Sequence, residues 1–192
     1  MINLGLMLRF AVILLAGSSL MAQPRYTADG HLMLPAGYRE WVFLSSGLGM
    51  TYQSRQAREN PAFTNVFVNP AAYRSFLATG KWPDKTQLVL EIRASASKGS
   101  INQAGSYQTD VVAIESEVKD AAKFPGSGWA FFGFGKSNTG KILAPTEDCY
   151  SCHREHAAVD NTFVQFYPVL LEIAKQKGTL TPAFVRESAA PR

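Results

Sequence analysis

Short apolar runs and alternating apolar and polar positions occupy most of the chain, and four of them read as strands. Phe63-Thr-Asn-Val-Phe-Val68 is rich in β-branched and aromatic residues. Residues 86–92, 110–118 and 128–134 are similar, and the turn Pro125-Gly-Ser-Gly128 separates the last two. Residues 38–44 suit either a short strand or a helical turn, and their period does not decide. Two segments are punctuated as helices. Asn69-Pro70 supplies a cap and a first-turn proline, and Gly80 supplies a stop after Thr79. Phe163, Phe166, Tyr167, Leu170, Leu171 and Ala174 fall at helical spacing. Asp160 or Thr162 would cap that helix, Pro168 would start or kink it, and Gly178 would end it. A further helix opens near Thr146, with acidic residues in its first turn. Residues 45–62, 95–106 and 138–145 read as loops, and the tail after Gly178 as loose. The sum predicts an α+β domain with a mostly antiparallel sheet and helices gathered at the C-terminal end.

Composition narrows the class. The chain has 192 residues, 46% hydrophobic and 18% charged, which excludes a mostly disordered or coiled-coil protein. The net charge of +4 comes from scattered basic residues, so it does not point to nucleic acid. The N-terminus reads as a secretory signal: Arg9 precedes the apolar run Phe10-Ala-Val-Ile-Leu-Leu-Ala16, and cleavage is expected near Ala22. Residues 1–22 are then the signal and 23–192 a single domain. No other stretch is long and apolar enough to span a bilayer. The mature chain is expected in the periplasm, with no membrane attachment.

Export would permit a disulfide, yet the only cysteines, Cys149 and Cys152, are three residues apart. They belong to Cys149-Tyr-Ser-Cys152-His153, the five-residue signature of covalent haem attachment. On a helix, positions i and i+3 share a face, so both thiols reach the two vinyl groups on one porphyrin edge. His153 follows as the proximal iron ligand. A dithiol redox pair would normally follow a strand, and a zinc site would need more soft ligands. The sixth iron position decides the function. His31, Met33, Met50 and His156 are the candidates to fill it. No methionine follows the haem motif, so the pattern leans to a five-coordinate iron. Arg154 has two readings: a hydrogen-bond donor to a propionate or a small ligand on the proximal side, and a solvated helix charge.

Several stretches together resemble the cytochrome P-460 family and its relatives, the beta-type cytochromes c′. They are Gly30-His-Leu-Met-Leu-Pro-Ala-Gly-Tyr-Arg-Glu-Trp-Val42, Val66-Phe-Val-Asn-Pro-Ala-Ala-Tyr73 and Thr79-Gly-Lys-Trp-Pro-Asp84. Gly128-Trp-Ala-Phe131 and the run from Cys149 to Asn161-Thr-Phe-Val-Gln-Phe-Tyr-Pro168 follow in the same order. The resemblance implies one c-type haem on a largely β subunit, usually a homodimer, with His153 as the sole protein ligand. It also implies one of two activities. One is hydroxylamine oxidation on a lysine-cross-linked porphyrin, with electrons passed to a soluble cytochrome. The other is binding of small gases such as nitric oxide under an apolar roof. The resemblance puts the cross-linking lysine on the strand where this sequence has Leu88-Val-Leu-Glu91, and Leu90 holds the position. Leucine cannot form that bond.

Phe63 or Phe67 would roof the iron, with Leu90 beside it; plain sheet core is the competing reading of both phenylalanines. A roof without hydrogen-bond donors holds oxygen poorly and still admits nitric oxide. The expected function is therefore a periplasmic five-coordinate cytochrome that binds a small gaseous or nitrogenous ligand. Hydroxylamine oxidation and six-coordinate electron transfer are the alternatives. As an enzyme it would be an oxidoreductase.

Overall fold

The computed structural model describes residues 23–51 and 60–190. The signal segment 1–22 lies outside the described residues. No helix among the described residues is long and apolar enough to cross a membrane.

Seven strands among the described residues form one sheet: β1 (Leu32–Met33), β2 (Val42–Leu48), β3 (Phe63–Val68), β4 (Gln87–Ala96), β5 (Tyr107–Lys119), β6 (Trp129–Gly133) and β7 (Thr139–Ile142). Their order is β1-β7-β6-β5-β4-β3-β2, and every pair is antiparallel. Among the described residues four α-helices accompany them: α1 (Pro70–Thr79), α2 (Asp148–His156), α3 (Pro168–Lys177) and α4 (Pro182–Ala189). The architecture is α+β, as the sequence pattern predicts.

Local chemistry explains most boundaries. α1 starts at Pro70 and stops at Gly80, whose φ of 71° is a left-handed C-cap that favours glycine. Asn69 does not cap with its side chain. Its Oδ1 instead accepts from the backbone N–H of Gln87 at 2.9 Å, tying the start of α1 to β4. α3 begins at Pro168 and ends at Gly178 in the same left-handed way. Four expectations fail. Residues 45–48 continue β2, and 139–142 form β7, because each segment finds an antiparallel neighbour. The tail forms α4, whose Thr181 side chain accepts from the N–H of Phe184. Asp160 is not a helix cap; it sits in a tight turn ahead of α3.

The sheet buries both faces. One face packs on α1 and α3 through Val68, Leu88 and Trp129 from the strands and Phe76, Leu170 and Ala174 from the helices. The other face carries Val89, Ile114, Val118 and Phe132, covered by Leu32 and Tyr38 from the N-terminal region. β4 shows the alternation most clearly. Leu88 and Leu90 face the helices, while Val89 and Glu91 face away.

Candidate haem site

α2 carries the sequence signature. Cys149, Cys152 and His153 occupy positions i, i+3 and i+4, so all three share one helix face. They line one cavity of about 510 Å³ together with strand residues Val66, Leu88, Leu90 and Ile92. That volume lies within the roughly 300–1,000 Å³ of small-molecule and cofactor sites. Sheet register aligns the strand side. Val66 pairs with Leu90, and Leu90 with Glu115; Leu88 pairs with Glu117, and Glu117 with Phe131. Residues opposite one another in a ladder share a face, so these side chains converge on the same space.

The imidazole of His153 is fixed on three sides. Nδ1 lies 2.7 Å from the backbone oxygen of Asn161. A carbonyl only accepts, so Nδ1 carries the proton and Nε2 keeps the lone pair. Phe131 and Phe163 flank the ring at centroid distances of 4.5 and 4.2 Å. Burial lowers the pKa of His153 below the ordinary imidazole value, and the Asn161 bond only partly opposes this, so the ring favours its neutral form.

Glu117 Oε2 comes within 3.4 Å of Nδ1, which looks like an ion pair. The electrostatics argue otherwise. Burial, helped by the negative charge of Asp160, pushes the Glu117 carboxyl up to about 8. Both partners are then mostly neutral at pH 7, and Oε2 finds no hydrogen-bond partner among the described residues. Burial also raises the pKa of Glu115, the second carboxyl lining the cavity. The two cysteines form no disulfide and are half-buried. Burial comes first in raising both thiol pKa values, with Glu115 adding at Cys149 and Glu155 at Cys152.

The structure separates the remaining candidates. Leu90 lines the cavity. Phe63 and Phe67 do not, and this corrects the expected roof. Val66, not Phe67, is the β3 residue opposite Leu90; Phe67 pairs with Val89 on the other face. There Phe67 packs on Tyr38 and Phe43, with ring centroids 5.7 and 5.6 Å away. Phe63 shares the Phe67 side of the strand by alternation. The aromatic lining comes instead from Phe131, Phe163, Phe166 and Tyr167. Arg154 is exposed, pairs with Glu155 at 3.0 Å and does not line the cavity. Among the four candidate sixth ligands, only Met50 lines it. His156 pairs with Glu187 on the surface, His31 with Asp29, and Met33 lies in β1.

Sequence reasoning missed Glu115, Glu117 and the carbonyl of Asn161. A signal for the first two was present: in β5 they alternate with the buried Ile114, Ser116 and Val118, so both carboxyls share the opposite face, Glu117 half-buried and Glu115 more open. The carbonyl had no such signal, because a backbone acceptor has no residue type.

Among the described residues, no group of three or more His, Cys, Asp and Glu side chains is arranged to hold a metal ion directly. The model of the family Cytochrome P460 matches residues 35–164, more than half of the chain. The chain therefore belongs to the cytochrome P460 family. Membership brings a haem cofactor and its iron. The residues present fit such a group: the cavity is large, mostly apolar, and carries a neutral imidazole with an available ring nitrogen. No curated protein matches the chain.

Proposed function

We propose that this chain is an exported, periplasmic mono-haem c-type cytochrome, working as a homodimer, that binds nitric oxide or a comparable small ligand. One observation carries the reading. His153 presents a neutral imidazole, anchored through Nδ1, on the helix face that also holds both thiols beside an apolar cavity. Cys149 and Cys152 would hold the haem by thioether bonds, and His153 Nε2 would bind its iron. When bound, the haem supplies a redox-active iron able to take a small ligand on the face away from His153.

The protein's own residues set what that ligand meets. Val66, Leu88, Leu90 and Ile92 give one side of the cavity an apolar wall that offers no hydrogen bond. Such a wall disfavours ligands that need a donor and admits small neutral gases. Leu90, at the position where the resemblance has a cross-linking lysine, supports the same reading.

A second reading, hydroxylamine oxidation with electrons passed to a soluble cytochrome, has one observation in its favour. Glu115 sits directly across from Leu90 in the β4–β5 ladder, and its carboxyl lines the cavity. A carboxylate there would accept protons from such a substrate.

The visible spectrum of the reduced holoprotein tests these readings. A high-spin ferrous spectrum that shifts on adding nitric oxide is the expected result. A low-spin spectrum indifferent to nitric oxide would refute the proposal and direct attention to Met50. A strongly red-shifted Soret band would mean a cross-linked porphyrin, and would favour hydroxylamine.

A further inference from the structure

The carbonyl that holds His153 is itself held in an unusual way. It belongs to the four-residue turn Val159-Asp160-Asn161-Thr162. The turn is closed by two backbone hydrogen bonds, Thr162 N–H to Val159 O at 2.8 Å and Val159 N–H to Thr162 O at 3.3 Å. Both central residues have positive φ, 46° for Asp160 and 60° for Asn161. Two consecutive left-handed residues without glycine are unfavourable, and Asp and Asn are the side chains that tolerate them best. Such a turn persists where its surroundings determine it.

Here the surroundings are specific. Asp160 Oδ2 takes the ammonium of Lys119 at 2.5 Å, and Asp160 Oδ1 accepts from Trp129 Nε1 at 3.3 Å. Lys119 Nζ also donates to the backbone oxygen of Trp82 at 2.9 Å. Thr162 Oγ1 accepts from Trp82 Nε1 at 2.7 Å and donates to Val159 O. The turn is thus fastened to the ends of β5 and β6 and to the connection between α1 and β4. Its tip delivers the Asn161 oxygen to Nδ1 of His153.

We propose that Lys119, Trp129 and Asp160 are positioning residues for His153: through the turn they press the Asn161 carbonyl onto Nδ1 and so set the donor strength of Nε2. This rests on His153 being the iron ligand. A carbonyl accepting from Nδ1–H makes the opposite nitrogen a stronger donor and fixes the ring's rotation. The network reaches His153 through that backbone oxygen and, through the charge of Asp160, through Glu117 beside Nδ1. Its loss would therefore alter the ligand's strength before it altered the cavity.

The test uses the haem-loaded protein. Asp160→Asn keeps an oxygen for Trp129 and a residue tolerant of positive φ, but removes the charge that holds Lys119. Lys119→Met removes the same ion pair from the other side, and Lys119→Arg restores it. The readouts are the iron–imidazole stretching band of the ferrous protein by resonance Raman and the midpoint potential. Asp160→Asn and Lys119→Met are expected to move the band to lower frequency and raise the potential, because a weaker imidazole donor favours the ferrous state. Lys119→Arg should return both toward the unsubstituted protein. A merely structural network would lower stability and haem yield while leaving the band of the folded protein in place. An unmoved band in folded, haem-loaded Lys119→Met would overturn the positioning role alone. A band absent from the unsubstituted protein although its ferrous spectrum is high-spin would overturn the axial ligand assignment as well.

Discussion

Glu91 supplies the most demanding test of how the sheet is held. Its carboxylate is 3% exposed, on the face of β4 opposite the cavity. Four donors surround it: the Tyr38 hydroxyl, Arg39 through Nε at 2.7 Å and Nη2 at 2.5 Å, and Arg93 through Nη1 at 2.9 Å. Glu91→Gln keeps the shape and removes the charge. The amide NH₂ must then face a guanidinium or the hydroxyl, leaving at least one donor-to-donor clash. Breaking a buried charged network by changing one partner costs about 3–5 kcal/mol. The Arg39 side chain is 56% exposed, so water can compensate part of that loss. The expected destabilisation is about 2–4 kcal/mol at pH 7.

The pH dependence has a definite sign. Burial alone would raise the pKa of Glu91, but hydrogen bonds from Tyr38, Arg93 and Arg39 more than offset it, so the folded value lies below the ordinary one. The unfolded chain therefore takes up a proton first, near pH 4.3. Stability from this group is full above that value and falls as pH drops toward the folded pKa, by up to about 1.4 kcal/mol per pH unit. Urea unfolding of the holoprotein between pH 7 and pH 3 measures both effects. Glu91→Gln should lose stability at pH 7 and show a shallower acid limb. A loss under about 1 kcal/mol with an unchanged acid limb would refute the view that this network anchors β4.

Three further outcomes are expected. Leu90→Lys places an amine in the cavity at the position the resemblance assigns to a cross-link; after peroxide treatment, the tryptic haem peptide should carry the lysine, and an unmodified peptide would count against that alignment. Glu115→Gln should leave nitric oxide binding of the reduced protein within about twofold, since neutral apolar contacts dominate there, and should abolish any hydroxylamine turnover with an artificial electron acceptor. Phe76→Ala removes a fully buried ring that packs at a tilt against Trp82, with centroids 4.4 Å apart, and chemical denaturation should show a loss of about 3–5 kcal/mol.

The site was legible where side-chain chemistry and chain spacing coincide. Cys149, Cys152 and His153 announce themselves because a helix puts i, i+3 and i+4 on one face, and the structure has them on that face of α2. The boundaries of α1 and α3 were legible for the same reason: a proline starts each and a left-handed glycine stops each. Register was not legible. Alternation within β3 sorts Phe63, Asn65 and Phe67 from Thr64, Val66 and Val68, but says nothing about which set faces the cavity. That choice depends on pairing with β4, a contact between residues 20 to 30 apart in the chain. Aromatic bulk favoured the phenylalanine set, and the ladder favoured the other. β7 escaped notice because Thr139-Gly-Lys-Ile142 has little strand character without its neighbour β6.

Register also couples stability to function. Leu90 and Glu91 are adjacent in β4 and point to opposite faces, one into the cavity and one into the arginine network. A slip of one residue would bury Leu90 among the guanidinium groups and turn Glu91 toward the apolar wall. Each arrangement excludes the other, since leucine cannot satisfy Arg39 or Arg93 and a charged Glu91 would be stranded without donors. The network on the closed face therefore does more than hold the sheet together. By penalising every odd-numbered shift of β4, it keeps Leu88, Leu90 and Ile92 on the face that meets His153. The apolar wall of the cavity is specified by the polar residues behind it.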